Sequence, residues 1–214
     1  MARIIDNSRE KLAEVLNREL AEVAEVAIAT AYFNIMGFGD IEEGLSGKSL
    51  RLLLGRPPEE RVRWDEEVLK ELEEYEDDPQ YFRLLQRAVA YFEDPARQVR
   101  IVEGRFFHGK AFLGCYPSMS SVRRGFAVVG SSNFTHGGLV SNRELNMFNT
   151  DREAVQELAD WFQRQWSDDE SRDYKEEFLS RLRTYLTSWS PYEVAAKALW
   201  ETSTGLGGGR VWRG

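Results

Sequence analysis

Two short runs of polar residues near the middle of the chain carry functional groups that could bind and cleave a phosphate ester. The first run holds His108 and Lys110, two residues apart within the apolar stretch 105–113. In a β-strand, residues i and i+2 point to the same face, so an imidazole would lie beside an ammonium. The imidazole can attack phosphorus or transfer a proton, and the ammonium can hold phosphate oxygens.

The second run begins some twenty residues later with Gly130 and ends at Asn133. The apolar residues 126–129 predict a strand that ends at this glycine, which permits a tight bend. Ser131 then offers a hydroxyl, and Asn133 offers both an amide donor and an acceptor. Glu144 follows at the head of a predicted strand over 144–148, where its carboxylate could orient the imidazole.

The spacing of these runs resembles the signature of the phospholipase D superfamily, H-x-K followed by G-[GST]-x-N. The resemblance is stronger to its nuclease and helicase-associated members, in which the second half commonly reads G-S-S-N-[FL]-T-x-G-G-L and then N-x-E-L-N. Here the corresponding segments are 130–139 and 142–146. The motif-bearing part covers roughly 98–150, and the segments 29–34, 52–55 and 190–200 are similar, less specifically, to the helicase-associated type.

The resemblance implies an α/β fold, a layered mixed β-sheet flanked by helices, with a single motif per chain. It also implies a metal-independent phosphodiesterase that needs no cofactor and acts on DNA through a phosphohistidine. Since cleavage needs two imidazoles and the chain has one H-x-K, a homodimer with both copies of His108 at one phosphate is implied. The predicted catalytic residues are His108, Lys110, Asn133 and Glu144, and the predicted substrate-binding residues are Ser131, Ser132 and Arg143.

Two residues near the motif invite other interpretations. The aspartate that the superfamily places five residues after the lysine is Cys115 here, which argues against a true phospholipase more than against phosphodiester cleavage. Cys115 is expected to be a small core residue at a strand end. His136, in the glycine-rich loop, is expected to be a loop or capping residue rather than a catalytic one. A metal site built from His108, Cys115 and His136 has no recognised ligand spacing, so no metal is predicted.

Composition indicates a globular protein that is not embedded in a membrane. The 214 residues suit one domain, and 42% hydrophobic with 30% charged residues is ordinary globular composition. No apolar run approaches the length of a membrane span, and the first residues lack a signal-peptide core. The single cysteine favours the reducing cytoplasm. We expect a phospholipase D-like domain over 1–203, with a helical part at 151–201, and a flexible glycine-rich tail at 204–214.

Net charge leaves the mode of nucleic-acid binding open. The formal charge of −8 has the wrong sign for a generic nucleic-acid binder. Arginines are more frequent around the motif, where they either form a local basic face or are scattered solvated charges. The acidic segment 59–76 is expected to be a helix that is either a solvated face or a mask over a basic groove.

Hydrophobic periodicity places the motifs within an order of elements. Helices are predicted over 8–24, 59–76, 80–93, 152–166, 171–188 and 191–201, and strands over 26–33, 49–54, 98–102, 105–113, 126–129 and 144–148. The competing function is a non-catalytic module, the N-terminal domain of a Swi/Snf-type helicase that binds DNA or a partner without cleaving. The acidic balance favours this alternative, and the complete residue set favours the nuclease.

Overall fold

The computed structural model describes residues 2–55, 65–75, 78–104, 107–116 and 125–188. Within these residues, eight strands form one mixed sheet in the order β1-β7-β6-β5-β2-β3-β4-β8. The strands are β1 (Arg3–Ile5), β2 (Glu25–Thr30), β3 (Ser49–Gly55), β4 (Arg97–Val102), β5 (Ala111–Cys115), β6 (Gly125–Gly130), β7 (Asn146–Asn149) and β8 (Ser171–Asp173). β3 is parallel to β2 and β4, and the remaining pairs are antiparallel. The predicted mixed sheet flanked by helices is confirmed.

Helices cover both faces of the sheet. They are α1 (Leu12–Leu20), α2 (Ile35–Leu45), α3 (Glu66–Glu74), α4 (Pro79–Glu93), α5 (Arg152–Trp166) and α6 (Lys175–Ser188), with a short π-helix at Gly137–Ser141. A large apolar core lies under α1, α2, α3, α4 and α6, and a smaller one lies under α5 on the opposite face. Capping fixes two of these boundaries, because Asp78 accepts a hydrogen bond from Gln80 N and Asp151 accepts from Glu153 N and Ala154 N.

Helix α2 was not predicted from the sequence. Its residues carry glycines at 37, 39 and 44, which lower intrinsic helix propensity. Two physical constraints override this weakness. The parallel pairing of β2 with β3 requires a crossover connection, and Asn34 caps the helix by accepting from Gly37 N at 2.9 Å. The Asn34 cap was the signal in the sequence that could have indicated this helix.

Several predicted boundaries need correction. Residues 171–173 are an edge strand that pairs with β4, and not the start of a helix, which begins at Lys175. The strand that carries the H-x-K motif begins at Ala111, so His108 and Lys110 lie in the segment that leads into it. Glu144 likewise precedes β7, which begins at Asn146.

Other predictions are confirmed or lie outside the described residues. The helix predicted over 8–24 forms at Leu12–Leu20, and the strands predicted near 26–33, 49–54, 98–102 and 126–129 all form. The acidic helix is present at Glu66–Glu74, but residues 56–64 lie outside the described part, as do the predicted helix 191–201 and the tail 204–214. No helix among the described residues has the length and apolar character needed to cross a bilayer.

Candidate functional site

The predicted site residues meet at one edge of the sheet. β2 ends there at Thr30, β5 begins there at Ala111, and β6 ends there at Gly130. The antiparallel registers place Ala29 opposite Ala111, and Ala111 opposite Val129. Residues just beyond these strand ends therefore converge, although they are far apart in sequence.

His108 and Lys110 differ in exposure even though they are two residues apart. Lys110 is buried, with 7% of its surface exposed, whereas His108 is exposed. The Lys110 Nζ donates to the carbonyl of His108 at 3.3 Å, and the Lys110 carbonyl accepts from Gly130 N at 3.3 Å. The second bond fixes the H-x-K segment against the turn that carries the serine and asparagine.

The electrostatics of this pair favour a neutral imidazole. Partial burial, together with the positive charge of Lys110, lowers the pKa of His108 below its ordinary value. Burial also lowers the pKa of Lys110, while the carboxylate of Glu144 opposes that shift. A neutral imidazole has a free lone pair, which is the form needed for attack on phosphorus.

Ser131 and Glu144 are joined directly. The Ser131 hydroxyl donates a short hydrogen bond to the Glu144 carboxylate and accepts from Leu145 N at 2.9 Å. The backbone N–H of Ser131 donates to Leu145 O at 3.1 Å. The turn after β6 and the segment before β7 are therefore connected at the site, with Arg143 exposed beside them. An additional role of Glu144 in orienting the imidazole stays a prediction.

Ser132 lies in the interior. It is 1% exposed, its hydroxyl donates to Gly138 O at 2.7 Å, and it accepts from Asn146 Nδ2 at 2.9 Å. Asn146 Oδ1 accepts in return from Ser132 N at 3.3 Å. Both side chains therefore hold the glycine-rich loop together, and the predicted substrate contact of Ser132 is untested. Asn146 had no predicted role, although it lies in the N-x-E-L-N segment.

Asn133 is held by a residue that the sequence analysis did not single out. Its Oδ1 accepts from Ala31 N and from the hydroxyl of Thr30, each at 3.3 Å. Thr30 is completely buried, and its hydroxyl shares its one proton between Asn133 Oδ1 and Tyr32 O, the latter at 2.7 Å, while it accepts from Phe134 N at 2.9 Å. Because Oδ1 is engaged, the orientation of the amide is set. Within the described residues its NH₂ group makes no hydrogen bond, so it can donate to a ligand.

His136 has a carboxylate partner. Its Nδ1 lies 2.9 Å from Asp40 Oδ2 on α2, and its backbone N–H donates to Asn34 Oδ1 at 3.0 Å. Burial raises the pKa of Asp40, and His136 opposes this shift. The imidazole thus ties the loop after Asn133 to α2, which is compatible with the predicted structural role. Cys115 is buried at the end of β5 that lies away from His108, so these two residues do not share a site.

Two of the described arginines near the motif, Arg97 and Arg100, are engaged inside the fold, whereas Arg143 is exposed. Arg97 is buried, pairs with Asp94 at 2.8 Å and lies over the ring of Tyr91. Arg100 donates to the carbonyl of Trp166 and lies over its ring. Both guanidinium groups therefore contribute to packing. Arg105, Arg123 and Arg124 lie outside the described residues.

Comparison with known proteins identifies the family and the fold. The family described as cardiolipin synthase, PLD-like domain, matches residues 44–166. No curated protein sequence matches the chain significantly. Among solved structures, Nuc from Salmonella typhimurium, described as a phospholipase D family member, has a TM-score of 0.50 and 13% identity, with 81% of this chain and 97% of Nuc covered.

Two larger proteins share the fold as well. Polyphosphate kinase from Porphyromonas gingivalis has a TM-score of 0.52 and 15% identity, with 79% of this chain and 26% of the kinase covered. Phosphatidylserine synthase from Haemophilus influenzae Rd KW20 has a TM-score of 0.51 and 15% identity, with 92% of this chain and 46% of the synthase covered. At such low identity these likenesses establish the fold alone.

Proposed function

Since the chain belongs to the phospholipase D-like family, we propose that it is a metal-independent phosphodiesterase of the nuclease type. It cleaves DNA through a phosphohistidine intermediate at a site that two copies of the chain share. The observation that carries this proposal is the arrangement at the sheet edge. A buried lysine adjoins an exposed imidazole, and the asparagine amide and the serine–glutamate pair converge there from other strand ends.

The proposed reaction has two steps with opposite proton transfers. The neutral imidazole of His108 attacks phosphorus, a P–N bond forms, and the P–O bond to the leaving oxygen breaks. The imidazolium of the partner's His108 donates its proton to that oxygen. The resulting neutral imidazole of the partner subunit's copy then takes a proton from water, whose oxygen attacks phosphorus and breaks the P–N bond.

The remaining site residues stabilise or orient. The Lys110 ammonium and the Asn133 NH₂ group donate to the non-bridging phosphoryl oxygens, where negative charge grows in the transition state. On substrate binding the Ser131 hydroxyl turns its one proton from Glu144 to the phosphate, and Glu144 holds the working tautomer of His108. Arg143, which is exposed, contacts the DNA backbone. Ser132 supports the loop from the interior.

Cleavage of labelled DNA in EDTA by the purified protein tests the proposal. We expect cleavage by the wild type, and a loss of about 100-fold or more in both His108→Ala and Lys110→Ala, since each removes a group that acts in the transition state. Lys48→Ala is the matched control, because Lys48 is a partly exposed lysine just before β3, at the opposite end of the sheet from the site. Cleavage by His108→Ala at the wild-type rate would contradict the proposal.

The same assay separates the alternative function. A Swi/Snf-type helicase-associated module would bind DNA or a protein partner without cleaving. The net charge of −8 and the use of Arg97 and Arg100 inside the fold favour this alternative. A wild-type protein that binds DNA and is inert in every cleavage assay would replace the nuclease proposal with it.

A further inference from the structure

The asparagine at position 7 is an unusual residue for the turn between β1 and α1. It is buried, with 3% of its surface exposed, and its φ of 63° lies in the left-handed region. No other non-glycine residue in the described part of the chain has a positive φ. Asparagine adopts this conformation more readily than most residues, because its short polar side chain can hydrogen-bond locally. The backbone therefore turns sharply at Asn7, and the side-chain amide lies in the interior.

The Asn7 amide makes three hydrogen bonds, all of them to backbone groups. Its Oδ1 accepts from Leu12 N at 2.8 Å, an N–H at the start of α1 that has no partner within the helix. Its Nδ2 donates to Gly138 O and to Asn142 O, each at 3.0 Å. Both protons of the NH₂ group are thus bound to one loop, which lies more than 130 positions away in sequence.

The two carbonyls belong to the π-helix between the proposed amide donor and the proposed carboxylate. Gly138 lies against the backbone of Asn133, because a Cβ at this glycine would clash with it. Asn142 ends the π-helix and lies two residues before Glu144. Asn7 therefore connects the turn that carries the amide donor with the segment that carries the carboxylate.

The two residues before Asn7 add further bonds to the same part of the site. The carbonyl of Asp6 accepts from Glu144 N, and the carbonyl of Ile5 accepts from Asn146 Nδ2, each at 3.3 Å. All three consecutive residues lie outside 44–166, the part of the chain that matches the family. The support for the site loop thus comes from a segment that the family match does not include.

We propose that Asn7 is a positioning residue of the site. Its amide holds the π-helix so that the Asn133 NH₂ group and the Glu144 carboxylate converge at the sheet edge. A carboxylate at position 7 cannot donate, and it would place a negatively charged oxygen opposite two carbonyl oxygens. The effect on cleavage rests on the proposed function, whereas the hold on the loop belongs to the fold and is measurable without it.

Hydrogen exchange followed by mass spectrometry tests the hold on the loop. Asn7→Asp removes only the donor, because aspartate keeps the acceptor for Leu12 N and tolerates the left-handed backbone. Backbone N–H groups over 133–144 should exchange about 10-fold faster than in the wild type. The matched control is Asp6→Asn, an amide-for-carboxylate change next to Asn7. The Asp6 side chain accepts from Ser8 in the same turn, so this control should leave the loop unchanged.

A second variant keeps this test decisive if Asn7→Asp fails to fold. Asn7→Gly also permits a positive φ, and it removes the amide without adding a charge. It should show the same faster exchange over 133–144. Exchange of this loop at the wild-type rate, in whichever of the two variants folds, would overturn the proposal.

DNA cleavage separates positioning from general stability. Under single-turnover conditions Asn7→Asp should cleave about 10-fold or more slowly, with DNA affinity within a few-fold of wild type, since the positioned groups act in the transition state. In an Asn133→Ala background the same change should cost about 3-fold or less, because the amide that it positions is absent. An equal loss in both backgrounds would overturn the inference. If the wild type does not cleave DNA, the nuclease proposal fails, and hydrogen exchange alone decides whether Asn7 holds the loop.

Discussion

The chemistry proposed for His108 depends on the protonation state of its imidazole. Attack on phosphorus requires the neutral imidazole, and both the partial burial of His108 and the charge of Lys110 favour that form. Lys110 therefore has two proposed functions. It holds the phosphoryl oxygens, and it lowers the pKa of the nucleophile beside it.

Lys110→Gln tests the second function. Removal of the ammonium should raise the pKa of His108, so the acid limb of any residual activity should move to higher pH. Because the chain has only two histidines, proton NMR can follow both imidazole resonances, and His108→Ala assigns them. Lys48→Gln should leave both titrations unchanged. A His108 pKa that stays the same or falls in Lys110→Gln would contradict the electrostatic coupling.

At the residue level, motif spacing predicted which side chains lie at the sheet edge and missed what holds them there. His108, Lys110, Ser131 and Asn133 were identifiable, because their types and spacing are those of a phosphate site. Thr30 was not identifiable from the sequence. Its hydroxyl helps to orient the side-chain amide of Asn133, which lies 103 positions away in sequence. A buried hydrogen bond of this kind leaves no local pattern.

Among the secondary-structure elements, the π-helix after Asn133 controls the position of the proposed amide donor. A Cβ at Gly138 would lie 2.4 Å from the carbonyl oxygen of Asn133 and 2.8 Å from its nitrogen. The backbone atoms of Asn133 cannot avoid this clash by a side-chain rotation, so Gly138→Ala should displace Asn133. At Gly137 the nearest atom is the side-chain Nδ2 of Asn142, at 2.9 Å, which can move.

We expect Gly138→Ala to reduce DNA cleavage by roughly 100-fold, the effect of misplacing a transition-state contact by about an ångström. Gly137→Ala, the matched control on the same π-helix, should retain most activity. Single-turnover cleavage rates, with thermal unfolding to confirm folding, make the comparison. Equal activity of the two variants would show that the close approach of Gly138 to Asn133 does not fix the position of the Asn133 amide.

The start of α2 is held by a buried carboxylate from another helix. Glu71 on α3 is 6% exposed and accepts from Ile35 N at 2.8 Å and Met36 N at 3.2 Å. Burial outweighs these hydrogen bonds and that of Tyr81, and it raises the pKa of Glu71 to about 8. The folded state therefore binds a proton that the unfolded state releases near pH 4.5.

This linkage has a definite sign. Between the ordinary pKa and the raised one, the native state binds more protons, so the free energy of unfolding should fall as pH rises toward 8. Glu71→Gln cannot ionise and should lose this component, whereas Glu73→Gln, an exposed change on the same helix, should keep it. Urea unfolding across this pH range measures both. An unchanged pH dependence in Glu71→Gln would contradict the assignment.

The elements themselves were predicted unevenly, for physical reasons. Long periodic helices such as α4 and α5 were predicted within a residue or two, because amphipathic periodicity and caps mark them. Helix α2 and strands β1 and β8 were missed. The helix is stabilised by topology in spite of its glycines, and the two strands are three-residue edge strands defined only by their pairing with β7 and β4.

For the whole molecule, the fold is shared with proteins of different reactions, so the sheet alone does not set the substrate. The composition does not set it either, since the chain carries a charge of −8. What the sequence could predict was the family and the layered fold. The apolar side chains of Ile4, Val129 and Met147 lie on one face only because strand pairing brings them together, and no local pattern in the sequence marks that pairing.

Capture of the covalent intermediate shows directly whether His108 is the nucleophile. Wild-type protein is mixed with end-labelled DNA in EDTA under single-turnover conditions, denatured in alkaline detergent, and digested for mass spectrometry. We expect a phosphoryl-linked DNA end on the peptide that contains His108, and its loss in His108→Ala. An adduct on a different residue, or cleavage by His108→Ala at the wild-type rate, would contradict the claim that this imidazole is the nucleophile.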